Sequence, residues 1–218
     1  MSSVYKNIVI FGSHGKIGQQ LVRLISQPTS SYRATALVRN SDQADQILKI
    51  SSNSSNITTK EFTFDNASVE EISDVIRGHD VVVFTAGSGG KALLLVDLDG
   101  AVKTFEATVK ANVRRYVLIS AIHADKRETF SKSGLRDYYI AKHYADRILV
   151  NEFKDDLDYT ILRPTSLTDD EPTGKIRQIS AGDELGTVTR ADVAKVIYDT
   201  IGDEKTFGKG IDFGNESS

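Results

Sequence analysis

Residues 6–18 read Lys-Asn-Ile-Val-Ile-Phe-Gly-Ser-His-Gly-Lys-Ile-Gly, an apolar run followed by three regularly spaced glycines. Residues 8–11 form an apolar run without polar alternation, which is typical of a strand covered on both faces. Beyond the last glycine, apolar side chains recur at the spacing of one helical face, at Ile17, Leu21, Leu24 and Ile25. The stretch therefore predicts a strand, a tight turn and a helix in direct succession.

Three glycines occupy the crossing from this strand to this helix. A side chain at such a position would hinder the turn, block a diphosphate from the backbone N–H groups, or hold the helix away from the strand. The spacing G-x-x-G-x-x-G departs from the more familiar G-x-G-x-x-G, and a purely structural turn is the alternative for the pattern alone. We interpret the turn as a dinucleotide site, with candidate cofactor-binding residues Gly12, Ser13, His14, Gly15, Lys16, Ile17 and Gly18.

Composition limits the classes of partner. The chain has 218 residues, 39% of them hydrophobic, which is enough for one domain with its own core. A net charge of -3 gives no reason to expect nucleic acid or a membrane as a partner, which leaves a small-molecule substrate. No apolar run reaches the roughly 18 residues that span a bilayer, and the N-terminus lacks the apolar core of a signal peptide, so we expect a cytoplasmic protein. The chain has no cysteine, and its histidines show no metal-ligand spacing, so no metal site is predicted.

Strand-like and helix-like segments alternate along the chain. Further strands are predicted at residues 34–38, 60–64, 81–84, 116–119 and 159–162, and 211–213 is a candidate edge strand. Among the intervening helices, one is striped by apolar residues from Leu98 to Val109, and another opens on a capping box of Ser68 and Glu71. This alternation predicts an α/β fold, a Rossmann-like doubly wound parallel sheet with helices on both faces, in a single domain over residues 1–218.

The end of the second predicted strand bears on the choice between NAD and NADP. It carries Arg39, and no acidic residue follows before Asp42. A carboxylate at this point bonds the ribose 2'-hydroxyl of NAD, whereas an arginine suits the 2'-phosphate of NADP. One charge-assisted bond is worth roughly 1.5–3 kcal/mol, or about ten- to a hundredfold in affinity. The sequence favours NADP (NADPH) over NAD, with Lys16 as a further cation for it; a solvated surface arginine is the alternative.

The next two strand ends supply further candidate cofactor contacts. Asp65 follows the third predicted strand, where the adenine amino group would lie in this architecture, and an exposed turn aspartate is the alternative. Thr85, Ala86 and Gly87 follow the fourth strand. Their small side chains would let a cofactor lie across the sheet edge, although a flexible loop gives the same pattern.

Tyr138 and Lys142 form a candidate catalytic pair. They stand four residues apart in a predicted helix and so share one of its faces. Lowering a tyrosine pKa from about 10 to about 7 takes roughly 4 kcal/mol. An ammonium about 4 Å away supplies a similar amount at an effective dielectric constant near 20. The pair is therefore sufficient for proton transfer near neutrality, although a packed tyrosine beside a solvated lysine is common by chance.

At this point the motifs resemble a known family. The glycine turn, residues 85–87, Ser120, and Tyr138 with Lys142 occur in the order and spacing of the short-chain dehydrogenase/reductases. The runs at 96–100, 116–120, 157–164 and 190–194 are similar to those of its small atypical branch, which includes NAD(P)H-binding and epimerase/dehydratase-like proteins. The resemblance covers nearly the whole chain and implies a Rossmann fold, NADP binding, and redox or epimerase-type chemistry.

The resemblance also assigns roles to the candidate catalytic residues. Tyr138 would donate a proton to a substrate oxygen, and Lys142 would hold the nicotinamide ribose and lower the tyrosine pKa. Ser120 would steady the substrate carbonyl, but Ala121 stands where extended relatives often carry a second serine, which puts the serine role in question.

The sequence is compatible with three functions. The first is an NADP-dependent oxidoreductase acting on a small carbonyl or alcohol. The second is an NADP-binding sensor or regulator without turnover, suggested by the absence of a large substrate domain. The third is a flavin or biliverdin reductase-like activity that does not need the tyrosine. Residues 164–189, with three glycines, are the predicted substrate loop. The oligomeric state has no signal in the sequence.

Overall fold

The computed structural model describes residues 5–132 and 134–216. Its strands are β1 (Asn7–Phe11), β2 (Arg33–Val38), β3 (Ile57–Glu61), β4 (Val81–Phe84), β5 (Arg115–Ile119), β6 (Asp158–Pro164), β7 (Ser166–Thr168), β8 (Ile176–Gln178), β9 (Thr187–Thr189) and β10 (Lys209–Asn215). Its α-helices are α1 (Lys16–Ile25), α2 (Ser41–Ile50), α3 (Val69–Ile76), α4 (Ala101–Lys110), α5 (Arg136–Glu152) and α6 (Arg190–Thr200). A π-helix (Leu93–Gly100) runs directly into α4, and 3-10 helices cover Arg127–Lys132 and Glu204–Thr206.

Eight strands form one sheet in the order β3-β2-β1-β4-β5-β6-β10-β8. Every neighbouring pair is parallel except β10 with β8, which is antiparallel. The chain runs outward from β1 to β3 and then returns to place β4 on the other side of β1. This reversal is the switch point at which doubly wound sheets bind ligands. The predicted Rossmann-like α/β fold is confirmed.

Two hydrophobic cores cover the two faces of the sheet. Along β1 the side chains alternate between them, with Ile8 and Ile10 in one core and Val9 and Phe11 in the other. The first core is closed by apolar residues of α1, α2 and α6, and the second by residues of α3, α4 and α5. Because both faces are covered, the central strands lack the polar alternation of a half-exposed sheet.

Close packing requires the first and third glycines of the turn after β1. Gly12 has a φ of +84°, and a Cβ there would lie 2.5 Å from the backbone nitrogen of Ala86. A Cβ on Gly18 would overlap the carbonyl oxygen of Gly12. These two glycines let α1 and the end of β4 approach the turn, so the fold itself accounts for them.

Three element predictions were wrong in their bounds or placement. The third strand ends at Glu61 rather than at residue 64, because Phe62 and Phe64 leave the sheet to pack around Phe11. The apolar stripe that starts at Leu98 begins in the π-helix, and α4 itself starts three residues later. The predicted edge strand at 211–213 is part of β10, which lies between β6 and β8 inside the sheet.

The predicted loop of residues 164–189 contains three short strands. β8 extends the main sheet, whereas β7 and β9 pair with each other in a separate two-stranded sheet. Residues 169–175 and 180–186 between these strands are exposed. The stretch is therefore less irregular than its composition suggests. None of the helices in the described ranges combines the length and the apolar character needed to cross a bilayer.

Candidate active site

A cleft of about 470 Å³ opens at the carboxyl ends of β1, β2 and β4, at the switch point of the sheet. The glycine turn forms one wall, and the segment after β4 forms another. Of the residues proposed from sequence to bind a cofactor, those that line this cleft are Gly12, His14, Gly15, Arg39, Asp65, Thr85, Ala86 and Gly87. The structure thus brings together residues from four separate segments of the chain.

Gly15 is the exposed glycine of the turn and caps the N-terminus of α1. Its N–H donates to the carbonyl of Gly12 at 2.9 Å, and the first turn of α1 contains no acidic residue. Apart from that carbonyl oxygen at 3.2 Å, a Cβ on Gly15 would meet open space. A helix N-terminus with this bare approach attracts an anion, so the geometry fits a diphosphate.

Two other residues of the turn can reach a cofactor only through their backbones. The hydroxyl of Ser13 is buried and donates to the carbonyl of Leu37 at 2.5 Å, which ties the turn to β2. The side chain of Ile17 packs against the core that contains α1. The sequence identified these positions but gave no signal for the direction of their side chains.

Lys16 does not line the cleft with Arg39. Its ammonium lies 2.5 Å from a carboxylate oxygen of Asp169, and Arg190 binds the other oxygen of the same carboxylate at 2.7 Å. Assistance from Lys16 to Arg39 at a 2'-phosphate stays a prediction, and it requires the phosphate to replace the Asp169 carboxylate, which binds the Lys16 ammonium in this structure.

Arg39 lies exposed at the β2 end of the cleft. Its backbone N–H donates to the side chain of Gln43 at 2.9 Å, which fixes the strand end against α2. In the described ranges no ion pair involves its guanidinium. His14, also on the cleft wall, is hydrogen-bonded to Gln46 at 2.8 Å. A cation without an acidic partner is thus available where the adenosine end of a dinucleotide would lie.

Tyr138 and Lys142 share one face of α5, as predicted. The ammonium of Lys142 lies 5.9 Å from the centre of the Tyr138 ring and donates to the carbonyl of Ile119 at 2.9 Å. Lys142 is only 5% exposed, and burial lowers its pKa. Burial also raises the pKa of Tyr138, and the carboxylate of Asp97 raises it further. Lowering of the Tyr138 pKa by Lys142 is therefore not what this structure gives, because desolvation dominates.

Ser120 follows β5 with its hydroxyl buried. Asp146, one helical turn beyond Lys142, is buried as well and accepts a hydrogen bond from Arg163 at 2.8 Å. Desolvation raises the pKa of Asp146, while Arg163 and the nearby Ser120 hydroxyl act in the opposite direction. Neither the hydroxyl of Ser120 nor the second oxygen of Asp146 completes a well-aligned hydrogen bond. The role of Ser120 at a substrate carbonyl stays a prediction.

The buried charges continue away from Asp146 toward the surface. Arg163 also approaches Asp125 at 3.5 Å and Asp212 at 3.9 Å. Asp212 in turn lies 3.1 Å from a ring nitrogen of His123. Within the described ranges, no group of His, Asp and Glu side chains is arranged to hold a metal ion.

Sequence reasoning missed several residues of the site. Phe62, Phe64 and Lys91 line the cleft, and the aromatic pair had been assigned to a strand. Asp97 is 1% exposed, and its carboxylate accepts a hydrogen bond from the backbone N–H of Ser88 at 3.0 Å. The run Val-Asp-Leu-Asp-Gly at 96–100 contains this aspartate, but nothing in that run distinguishes the buried carboxylate from the exposed one.

Comparison with known proteins gives matches over nearly the whole chain. Residues 12–204 match a family described as NAD(P)H-binding. YhfK of Bacillus subtilis, an uncharacterized sugar epimerase, is 36% identical over 211 residues, which cover 94% of this chain and 92% of that protein. The solved structure of the oxidoreductase ylbE from Lactococcus lactis is 36% identical with a TM-score of 0.86, over 97% of this chain and 92% of that one. ChuY, an anaerobillin reductase from Escherichia coli, matches over 98% of each chain with a TM-score of 0.79, and at 20% identity this likeness shows the fold alone.

Proposed function

Because the chain belongs to the NAD(P)H-binding family, we propose that it is an NADP-dependent oxidoreductase that moves a hydride between nicotinamide and a small carbonyl or alcohol. One observation carries the proposal: a cleft with an unobstructed glycine turn and an arginine that has no ion-pair partner among the described residues opens at the end of β4, and a tyrosine–lysine pair, itself outside the cleft lining, lies at the end of the neighbouring β5. The cleft and the tyrosine–lysine pair are connected through the sheet. Lys142 binds the last residue of β5, and the end of the neighbouring β4 lines the cleft.

Arg39 supports the preference for NADP over NAD. It lies exposed in the cleft, where a charge-assisted hydrogen bond to a 2'-phosphate is worth roughly 1.5–3 kcal/mol. We expect Arg39→Ala to weaken NADPH binding by about tenfold or more and to leave NADH binding within about twofold. Arg33→Ala is the matched control, because Arg33 is also exposed but lies at the opposite end of β2. Equal losses for both cofactors in a fluorescence titration would contradict the NADP preference.

The catalytic pair suits proton donation. The bound nicotinamide supplies or accepts the hydride. The Tyr138 hydroxyl is protonated at neutral pH and would give its proton to a substrate oxygen when a carbonyl is reduced, although its raised pKa makes it a weaker acid than a solvated tyrosine. In its charged form the buried Lys142, 5.9 Å from the centre of that ring, would stabilise negative charge on the phenolic oxygen after transfer.

A panel of carbonyls and quinones tests the tyrosine mechanism by NADPH oxidation. We expect Tyr138→Phe to lower kcat by about a hundredfold or more, because general acid catalysis typically contributes that much. Tyr139→Phe is the control, since Tyr139 is a half-buried tyrosine of the same helix that stacks against Phe130. Unchanged turnover in Tyr138→Phe would remove the tyrosine from the mechanism. If the parent protein binds NADPH but does not oxidise it in the presence of any compound of the panel, the protein would be a sensor instead.

One observation favours a second candidate, hydride transfer to a planar acceptor such as a flavin or a bilin. Leu95 lines the cleft while 39% exposed, and Leu94 beside it is 72% exposed. Such apolar side chains would cover the face of a planar ring system. This activity does not need Tyr138, so a flavin substrate that is reduced equally fast by the parent and by Tyr138→Phe would identify it.

A further inference from the structure

Asp97 is a buried carboxylate directly behind the wall of the cleft. One of its oxygens accepts the Ser88 N–H at 3.0 Å. The other would lie 3.3 Å from a Cβ on Gly87, so a side chain at Gly87 would press against the carboxylate. Gly87 and Ser88 both line the cleft after β4. The carboxylate thus fixes the backbone of Ser88 and lies beside that of Gly87, in a segment that a bound cofactor would cross.

The π-helix places Asp97 at this point. Leu95 and Val96 of the same helix line the cleft, whereas Asp97 turns inward and is only 1% exposed. Single π-turns are rare and occur often at functional sites, where the extra residue redirects a side chain. The π-helix is closed at Gly100, where a Cβ would lie 3.0 Å from the carbonyl oxygen of Leu95.

We propose that Asp97 is a positioning residue that holds the Gly87–Ser88 segment in place for the cofactor. This role concerns the shape of the cleft and is measurable without turnover.

Two substitutions test this role. Asp97→Asn keeps the shape and an oxygen that can accept the Ser88 N–H, but removes the charge. We expect it to bind NADPH within about twofold of the parent.

Asp97→Ala removes the acceptor as well as the charge. We expect NADPH affinity to fall by about fivefold or more, because the segment that lines the cleft loses its anchor. Amide hydrogen exchange at Ser88, followed by NMR without cofactor, should be slow in the parent and in Asp97→Asn and fast in Asp97→Ala. Asp99→Asn is the matched control, since Asp99 lies in the same π-helix but is exposed and paired with Lys103 at 2.9 Å.

The outcomes distinguish this inference from the proposed function. Parent-like NADPH affinity and parent-like Ser88 exchange in Asp97→Ala would overturn the anchoring role. Weakened NADPH binding and fast Ser88 exchange in Asp97→Asn would also contradict it, since this variant keeps the acceptor oxygen, and this variant decides the matter if Asp97→Ala does not fold. A parent protein without any turnover would contradict the proposed function, while the exchange and binding measurements would still decide whether Asp97 anchors the segment.

Discussion

Gly15 and Gly18 lie three residues apart in the same turn, yet the structure constrains them differently. Gly18 is buried, and a Cβ there would meet the backbone of Gly12 and Ser13. Gly15 is exposed with a φ of -65°, which any residue can adopt. One glycine is therefore required for folding, whereas the other leaves room for a ligand.

This difference predicts opposite phenotypes for two alanine substitutions. We expect Gly18→Ala to lower the free energy of unfolding by roughly 1–3 kcal/mol through overpacking. Gly15→Ala should lower it by less than about 1 kcal/mol and instead weaken NADPH binding by about tenfold or more, because the new methyl group stands where the diphosphate approaches. Urea unfolding and fluorescence titration measure the two effects. A Gly15→Ala protein that binds NADPH like the parent would mean that the diphosphate does not use this turn.

At the scale of single residues, the sequence predicted eight of the residues that line the cleft, but not the contacts that the other candidate side chains make. Spacing after β1 and β2 identified the turn and Arg39. It could not show that the Ser13 hydroxyl turns toward β2 or that Asp169 binds Lys16, because both contacts depend on segments distant in the chain. Nor could it show how strongly burial acts on Tyr138, since desolvation depends on everything packed around the ring.

At the scale of elements, α6 holds the exposed segment before β8 through one carboxylate. Asp192 is 2% exposed and accepts backbone N–H groups from Thr173 at 2.9 Å and Gly174 at 3.0 Å, and the side-chain amide of Asn215 at 2.7 Å. Burial alone would raise the pKa of Asp192, but these hydrogen bonds outweigh it and lower the pKa. The carboxylate therefore stabilises the fold in its ionised form.

This arrangement predicts a loss of stability in acid. A carboxyl group with a lowered pKa in the folded state contributes fully above its unfolded pKa of about 4, and the contribution disappears as pH falls through the folded value. We expect Asp192→Asn to lower the free energy of unfolding at pH 7 by roughly 1.5–3 kcal/mol and to flatten its decline below pH 4. Asp199→Asn, an exposed position of the same helix paired with Lys195, is the control for urea unfolding across pH. Parallel acid profiles for the parent and Asp192→Asn would contradict the prediction.

Element types were predictable where hydrophobic periodicity is strong, and element bounds failed where an apolar residue serves another purpose. The capping box at Ser68 and Glu71 is confirmed, because it depends on local spacing alone. Phe62 and Phe64 alternate like strand residues but pack around Phe11 next to the cleft. The π-helix was missed because its apolar pattern over one turn cannot be distinguished from that of an α-helix.

At the scale of the whole molecule, the buried Arg115 connects several elements at the end of the sheet where the parallel strands begin. It is 0% exposed and donates to the carbonyls of Asp158 and Thr200 at 2.7 Å and of Ile201 at 2.9 Å. Its guanidinium also lies 4.4 Å from the ring centre of Phe207. Burial lowers the pKa of Arg115 to about 10, so the side chain remains charged at neutral pH. One residue thus joins β5, β6, the end of α6 and the segment before β10.

Removal of the Arg115 side chain should lower the free energy of unfolding more than removal of a surface arginine. We expect Arg115→Met to lower the free energy of unfolding by roughly 3 kcal/mol or more, because the three carbonyls lose their donor inside the protein. The adjacent Arg114 is an exposed partner of Asp158, and Arg114→Met should change stability by less than about 1 kcal/mol. Urea unfolding of the two variants compares them directly. Equal losses of stability in the two variants would contradict this role of Arg115.

The alternation of strand-like and helix-like segments predicted the overall architecture, but it did not predict the last strands of the sheet. Apolar runs separated by amphipathic helices predict parallel crossovers, and the observed strand order has the reversal that this fold class implies. β8 has three residues and no apolar run, so nothing in the sequence indicated that β10 would be covered on its outer side. Arg115 was missed for a related reason, because a charged residue at the start of a strand normally indicates exposure.

The pairing of Lys16 with Asp169 joins two parts of the chain that are 153 residues apart. Both side chains are more than half exposed, and an ion pair of this kind contributes at most about 1 kcal/mol. A phosphate that arrives beside the first residue of α1 can therefore displace the carboxylate for a penalty of no more than about fivefold in affinity. Asp169 would not be left alone, since Arg190 still binds it. The contact is therefore exchangeable. A ligand of the glycine turn and the Asp169 carboxylate compete for the same ammonium, so each weakens the binding of the other.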